Sequence, residues 1–249
     1  GVVEPLRDRF DIIAPDLRGY GRSDKPAGDI TLYSKRAMAA DVIGLMDTLG
    51  IARAFVCGHD RGGRVTHRLA MDHPQRVIAA SVLDIAPTRE MYANTDDEFA
   101  RAYWHWFYLI TPYPLPENMI GGDPEGYWRA KCINLSQGAH PFTDDALAEY
   151  LEHFCTPEAI HACCQDYRAA ATIDIEHDDA DNGAKLQMPL QVLWGKAGVI
   201  ERCFDPLALW RLRAHHVEGQ ALPGAHYFAE ETPDVIATHV SAFFEKHGA

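Results

Sequence analysis

Residues 58 to 63 read GHDRGG, set between the apolar run AFVC (54 to 57) and the helical stretch RVTHRLAMDH (64 to 73). The run before is a strand pattern. The stretch after closes at His73, because the residue ahead of Pro74 is pushed out of the helical region. Gly58-x-Asp60-x-Gly62 therefore has the form of the G-x-S-x-G elbow, in which small flanking residues permit a sharp strand-to-helix turn that lifts the central side chain above a sheet. Here that side chain is a carboxylate. The amide donors and positive end of the following helix favour its ionised form. A carboxylate gains little by exchanging acyl groups, but it can displace a leaving group from saturated carbon and leave an ester on the protein.

Outward from the elbow, strands alternate with helices. FDIIAP (10 to 15) reads as a buried strand running into the loop DLRGYGRSDKP (16 to 26). A helix follows, with Ser34 as N-cap, Met38, Val42, Leu45, Met46 and Leu49 on one face, and Gly50 at its end. RAFVCG (53 to 58), VIAASVLD (77 to 84), PLQVLWG (189 to 195) and VEGQALP (217 to 223) read as strands. The last two flank a helix opened by Asp205 and Pro206, and a final helix begins at Thr232 and Pro233. The alternation predicts an α/β fold, a mostly parallel sheet with helices on both faces. The interval 86 to 186 breaks it: YWHWFY (103 to 108), DDALAEYLEHF (144 to 154) and PEAIHACCQDYRAA (157 to 170) contain no convincing strand. That interval is expected to be an inserted helical cap over the carboxyl ends of the strands, leaving 1–85 and 187–249 as the core.

Charge narrows the function. With 23 basic against 36 acidic residues the net charge is -13, which repels nucleic acid and anionic membrane, so an anionic substrate needs a local cationic pocket. No apolar run reaches the roughly 18 residues of a spanning helix. Nor does the N-terminus present a charged segment followed by an apolar one, so no signal peptide is indicated. Cys57, Cys132, Cys155, Cys163, Cys164 and Cys203 show no framework spacing, which suits a reducing compartment and makes the cytoplasm the expected location.

An ester on Asp60 needs a base to activate water. LPGAHYFAEE (222 to 231) supplies His226, in the loop after the last strand, and a further acid must fix its tautomer. Two positions compete for that role. After QVLWG the chain reads KAG, with Gly198 at the acid's usual place, whereas Asp84 is available after ASVL, so Asp84 is assigned. Arg61 and Arg64 lie three apart at the start of one helix, where both planar forks can reach one small anion. DDADNG (178 to 183) resembles a calcium loop, but Ala180 takes a ligand position and Pro189 stands where the closing glutamate belongs, so no metal is expected.

The segments DLRGYGRSDKP, GHDRGGRVTHRLAMDHP, VLDIAPT, ARAYWHW, PLPENMIGGDP, DYRAA and GAHYF, in this order over nearly the whole chain, resemble the haloacetate dehalogenase family of α/β-hydrolases, which includes fluoroacetate dehalogenases. The resemblance implies hydrolysis of a small anionic halogenated substrate, haloacetate to glycolate and halide, without a cofactor and in a homodimer. It further implies Asp60 as nucleophile, His226 as base and Asp84 as its partner. Arg61 and Arg64 would hold the substrate carboxylate, and His105, Trp106 and Tyr167 the departing halide. Related epoxide hydrolases resemble HDWG at the elbow; Arg61 in place of that tryptophan favours a carboxylate-bearing substrate. An epoxide hydrolase and a catalytically inactive carboxylate-binding module are the two alternatives. Two departures from the family pattern stand out. Its strands ahead of FDIIAP are missing here, which leads to the expectation of an N-terminally truncated core, a gap in the sheet and one oxyanion donor fewer. Leu135 or a neighbour in RAKCINLSQG replaces a tryptophan, which leaves size and halide preference open.

Overall fold

The computed structural model describes residues 1–136 and 141–248. Ahead of the sheet lie α1 (Val3–Leu6) and α2 (Lys35–Thr48). Ser34 caps α2 by accepting from the amide of Ala37, a contact worth about 1 kcal/mol, and Gly50 follows its end with φ +70°. The core then alternates: β1 (Ala54–His59), α3 (Arg61–Asp72) and β2 (Val77–Leu83). The helical interval comes next: α4 (Thr88–Ala93), α5 (Asp97–Ala102), α6 (Trp104–Leu109), α7 (Leu115–Gly122), α8 (Pro124–Leu135), α9 (Asp144–Phe154), α10 (Pro157–Ala170) and α11 (Ile173–Ala180). The chain returns through β3 (Leu190–Gly195), α12 (Val199–Cys203), α13 (Pro206–Arg213), β4 (Val217–Leu222), α14 (Phe228–Glu231) and α15 (Pro233–His247). Among the described residues no helix is long and apolar enough to cross a membrane.

The four strands form one parallel sheet in the order β1-β2-β3-β4. Side chains alternate across it. Ala80, Val82, Leu190 and Val192 join Val65 and Leu69 of α3 in the larger core cluster, while Ala79, Leu83 and Leu193 pack with Ile236, Val240 and Phe243 of α15 on the other face. Register decides where the chemistry goes. His59 pairs with Leu83 and Leu83 with Leu193, so the residues that follow, Asp60 and Asp84, leave the sheet at the same level. Both turn at positive φ, 44° and 51°.

One expected strand is absent. Residues 11–16 of FDIIAPD carry no regular secondary structure and are exposed, with Ile13 49 % accessible, and β1 forms the sheet's first edge. Apolar content suits a residue to a strand, but only a partner's amides and carbonyls make one, and no described strand lies beside this segment. The other strands and the caps at Ser34 and Asp205 stand where the sequence places them.

Candidate active site

The elbow is built by close backbone approach. A Cβ added to Gly58 would lie 2.3 Å from the carbonyl oxygen of Gly62 and 2.6 Å from the amide nitrogen of Gly63, so only a hydrogen fits between β1 and the first turn of α3. Gly63 is equally constrained, 2.9 Å from the Gly58 carbonyl oxygen, whereas a Cβ on Gly62 meets nothing within 4 Å. Packing thus requires the glycine one step beyond the motif's second. Asp60, between them, adopts φ 44° and ψ −111°. Such a conformation costs a non-glycine residue on the order of 1–3 kcal/mol and persists only when its surroundings hold it. Its amide donates to the Leu83 carbonyl at 3.2 Å, tying the strained turn to β2.

His226 and Asp84 converge on this carboxylate. His226 Nδ1 donates to Asp84 Oδ2 at 2.7 Å, and the opposite ring nitrogen, Nε2, stands 3.6 Å from Asp60 Oδ2. The second distance is an ion contact, too long for a formed hydrogen bond. Asp84 is fully buried, and its other oxygen accepts from the Gly195 amide at 2.9 Å. The competing position is close by: a Cβ on Gly198 would lie 3.4 Å from Asp84 Oδ1, so an acid there would fall on the same spot. Burial opposes the charge on His226, but the anions of Asp60 and Asp84 outweigh it and push the imidazole up to about 9. Burial likewise opposes ionisation of Asp60, and His226, Arg61 and Arg64 together hold its carboxyl well below the usual range. The resting pair is carboxylate and imidazolium.

Both arginines are buried, and most of their donors are committed. Arg61 gives Nε to Asp166 Oδ2 at 2.7 Å and Nη2 to Asp166 Oδ1 at 2.5 Å, with its guanidinium 4.3 Å above the Tyr167 ring. Arg64 gives Nη1 to Thr88 Oγ1 at 2.8 Å and lies 4.7 Å over the Trp106 ring. Each keeps one nitrogen that is buried without a partner among the described residues, Nη1 of Arg61 and Nε of Arg64. The latter is 4.0 Å from Asp60 Oδ1. Buried N–H groups are rarely left unmade, and two on neighbouring guanidinium groups suit a small anion.

The aromatic group from the interval stands against them. His105 meets the Tyr167 ring at 5.7 Å and Trp106 meets it at 6.4 Å, all three buried. Burial pushes the His105 imidazole well below its ordinary value, keeping it neutral, and its Nδ1 also lacks a partner among the described residues. A cavity of about 530 Å³ opens on Asp60 and Arg61, walled by Trp128, Phe154 and Tyr167 from the interval and by Tyr227 beside the histidine. At its rim Glu149 and His153 stand with Glu152 close enough to share a cation, but Glu149 already pairs with Arg22. Asp178 and Asp181 of the calcium-like segment are turned to Arg68. Leu135 is buried and its carbonyl accepts the His226 amide at 3.2 Å; Gln137 and Gly138 of that stretch lie outside the described residues.

Several contributors escape a reading of the sequence. His59 donates Nε2 to the His226 carbonyl at 2.7 Å and holds its ring 4.8 Å from the other imidazole. Its place at the strand end, one residue before the elbow's tip, is the signal. Tyr103 brings its hydroxyl 3.4 Å from His226 Nδ1. Asp166, Lys35 and Tyr20 form the mount of Arg61; DYRAA and DLRGYGRSDKP contain Asp166 and Tyr20, but nothing local in the sequence gives the three this role.

Residues 1–132 match the family model described as alpha/beta hydrolase fold. A fluoroacetate dehalogenase of Burkholderia sp. is 43 % identical over 245 residues, 97 % of this chain and 81 % of that protein. A soluble epoxide hydrolase of Corynebacterium sp. (strain C12) is 31 % identical over 98 % of this chain and 84 % of its own length. Among solved structures, an alpha/beta hydrolase candidate from Nostoc sp. PCC 7120 superimposes with a TM-score of 0.94 at 50 % identity, covering 97 % of this chain and 84 % of that one. An epoxide hydrolase candidate from Pseudomonas aeruginosa gives 0.87 at 40 %, covering 93 % and 78 %.

Proposed function

The chain belongs to the α/β-hydrolase fold family, in its haloacetate dehalogenase-type branch, and on that premise we propose that it hydrolyses haloacetates to glycolate and halide through an ester on Asp60. The observation that carries the reading is the pair of guanidinium nitrogens without a hydrogen bond among the described residues, Arg61 Nη1 and Arg64 Nε, the second of them 4.0 Å from the ionised carboxylate at the elbow. A neutral epoxide offers these cationic donors one uncharged oxygen, whereas a carboxylate offers two anionic oxygens matched to both.

In this mechanism the substrate acid seats on the two arginines and places its halogen toward His105, Trp106 and Tyr167. An Asp60 oxygen attacks the carbon from the side opposite the halogen; the carbon–halogen bond breaks and the halide takes its electron pair. Neutral imidazole, indole and phenol can donate to the halide without adding negative charge. The resulting ester is uncharged, and that changes His226. One of the two anions that hold its proton is gone, so the imidazolium releases the proton to solvent, the one acid equivalent of the overall reaction, and becomes a base when one is needed. Asp84 keeps Nδ1 as the donor, leaving Nε2 to accept a proton from water. The hydroxide attacks the ester carbonyl carbon, and amide groups at the start of α3 offer donors to the oxyanion; on collapse the bond to the glycolate oxygen breaks, that oxygen takes the proton from His226, and the new Asp60 acid passes its own proton to His226, restoring the resting pair. The same residues make the interval between β2 and β3 a cap over the strand ends in this proposal.

The test is a His226→Asn variant incubated with chloroacetate and analysed by peptide mass spectrometry. The expected result is one carboxymethyl group on the peptide containing Asp60, since the ester forms but water is not activated. An unmodified peptide refutes the covalent route. Rapid turnover of a neutral epoxide, undiminished when Arg61 and Arg64 are both neutralised, would favour the epoxide hydrolase instead.

A further inference from the structure

Asp166 does not reach the elbow, yet it holds one of the residues that does. It is fully buried at the middle of α10. Its Oδ2 accepts from Tyr20 Oη at 2.5 Å and Arg61 Nε at 2.7 Å, and its Oδ1 from Arg61 Nη2 and Lys35 Nζ. Its carbonyl oxygen accepts from Arg61 Nη2 at 3.0 Å. Four donors on two oxygens fill the acceptor sites of a carboxylate, so the group has no capacity left for chemistry. Lys35 is itself buried at the start of α2, and its backbone amide donates to Asp174 Oδ1 at 2.8 Å. The carboxylate thus ties together the loop of Tyr20, the helix of Lys35 and the helix that follows the elbow.

We infer that Asp166, seated by Lys35 and Tyr20, is the positioning residue that fixes Arg61 so that a single edge of its guanidinium, Nη1, faces the substrate acid. The inference rests on the functional reading above and deepens it. Arg61 has five donor hydrogens; those on Nε and Nη2 are taken by Asp166, and Tyr167 stacks under the plane, so the fork cannot rotate. Asp166 and Tyr167 are consecutive, so the acid end and the halide end of the pocket hang from adjacent residues of one helix. Without the Asp166 anion the guanidinium would be buried with several donors unmet and would turn to find others, losing its aim.

The experiment uses the whole chain and two simple probes, acetate for the acid end and bromide for the halide end, as competitive inhibitors of chloroacetate turnover and, independently of turnover, by proton NMR of the acetate methyl group and quenching of tryptophan fluorescence by bromide. Asp166→Asn is expected to weaken acetate by about tenfold or more, to raise KM for chloroacetate in step, and to leave bromide within about twofold. Equal weakening of both probes, as a merely structural role would give, overturns the inference, and so does unchanged acetate binding. If Asp166→Asn does not fold, Tyr20→Phe decides: about threefold weaker acetate with bromide unchanged supports the assignment, and no change for acetate overturns it. Failure of the functional reading is separate, since it appears as an unmodified Asp60 in the His226→Asn experiment, while acetate binding still reports on Asp166.

Discussion

Replacing Asp60 by asparagine should lower the proton affinity of His226, and the size of the effect follows from the geometry. The two charges are 3.6 Å apart. At an effective dielectric constant near 20 such a pair interacts by about 4–5 kcal/mol. The Asp60 side chain keeps 26 % of its exposure, so solvent screens part of this, and about half is a reasonable share. Asp84, at 2.7 Å, stays in place, and so does the burial that disfavours the imidazolium. Loss of about 2–3 kcal/mol should move the imidazole from about 9 to about 7. Histidine-selective NMR titration of the unsubstituted chain and Asp60→Asn would measure it. A midpoint unchanged in the variant would show that Asp60 is not what holds the proton, and the timing argued for the hydrolytic step would fail with it.

The same linkage reaches stability. His226 binds its proton more tightly folded than unfolded, so its contribution is full below pH 6.5 and fades as pH rises toward 9; up to about 3 kcal/mol is at stake. Urea unfolding at pH 6 and pH 9.5 should lose less in Asp60→Asn than in the unsubstituted chain. Asp84→Asn removes the acceptor that fixes the Nδ1 tautomer and should cut kcat about a thousandfold, with alkylation of Asp60 slowed far less, as stopped-flow halide release against steady-state turnover would report. Arg64→Met removes the donor 4.0 Å from Asp60 and should lower kcat/KM for chloroacetate about a hundredfold. Gly58→Ala should destabilise by roughly 3 kcal/mol or prevent folding, while Gly62→Ala should leave the melting temperature nearly unchanged, which circular dichroism can compare directly.

Local signals carried the sequence far. A strand pattern, a glycine-bracketed turn and a helix are written within twenty residues around Asp60, and the strand's ladder partner, β2, begins at Val77 just beyond that helix. His226 could be found because a loop after a final strand has few places to go. The choice between Asp84 and Gly198 was a matter of residue type, and the structure adds the reason: they point at one volume. The segment at residues 11–16 misleads because strand formation is a property of a pair. The role of Asp166, the first residue of DYRAA, was hidden for a different reason. Its partners Tyr20 and Lys35 lie 146 and 131 residues away, and a lone aspartate on a helix between polar neighbours reads as a solvated charge until the fold buries it.

The adjacency of Asp166 and Tyr167 gives the pocket a gauge. An arginine steadied by one residue and a phenol carried by the next are separated by a fixed stretch of helical backbone, with ring and guanidinium 4.3 Å apart. Because ring and guanidinium are in face contact, the phenol stays in step with the seated acid; 3-chloropropionate carries its halogen one carbon further from that acid and should be turned over more slowly than chloroacetate. Discrimination between positional isomers would then be set by two neighbouring rungs of one helix, and no change in cavity volume alone would redraw it.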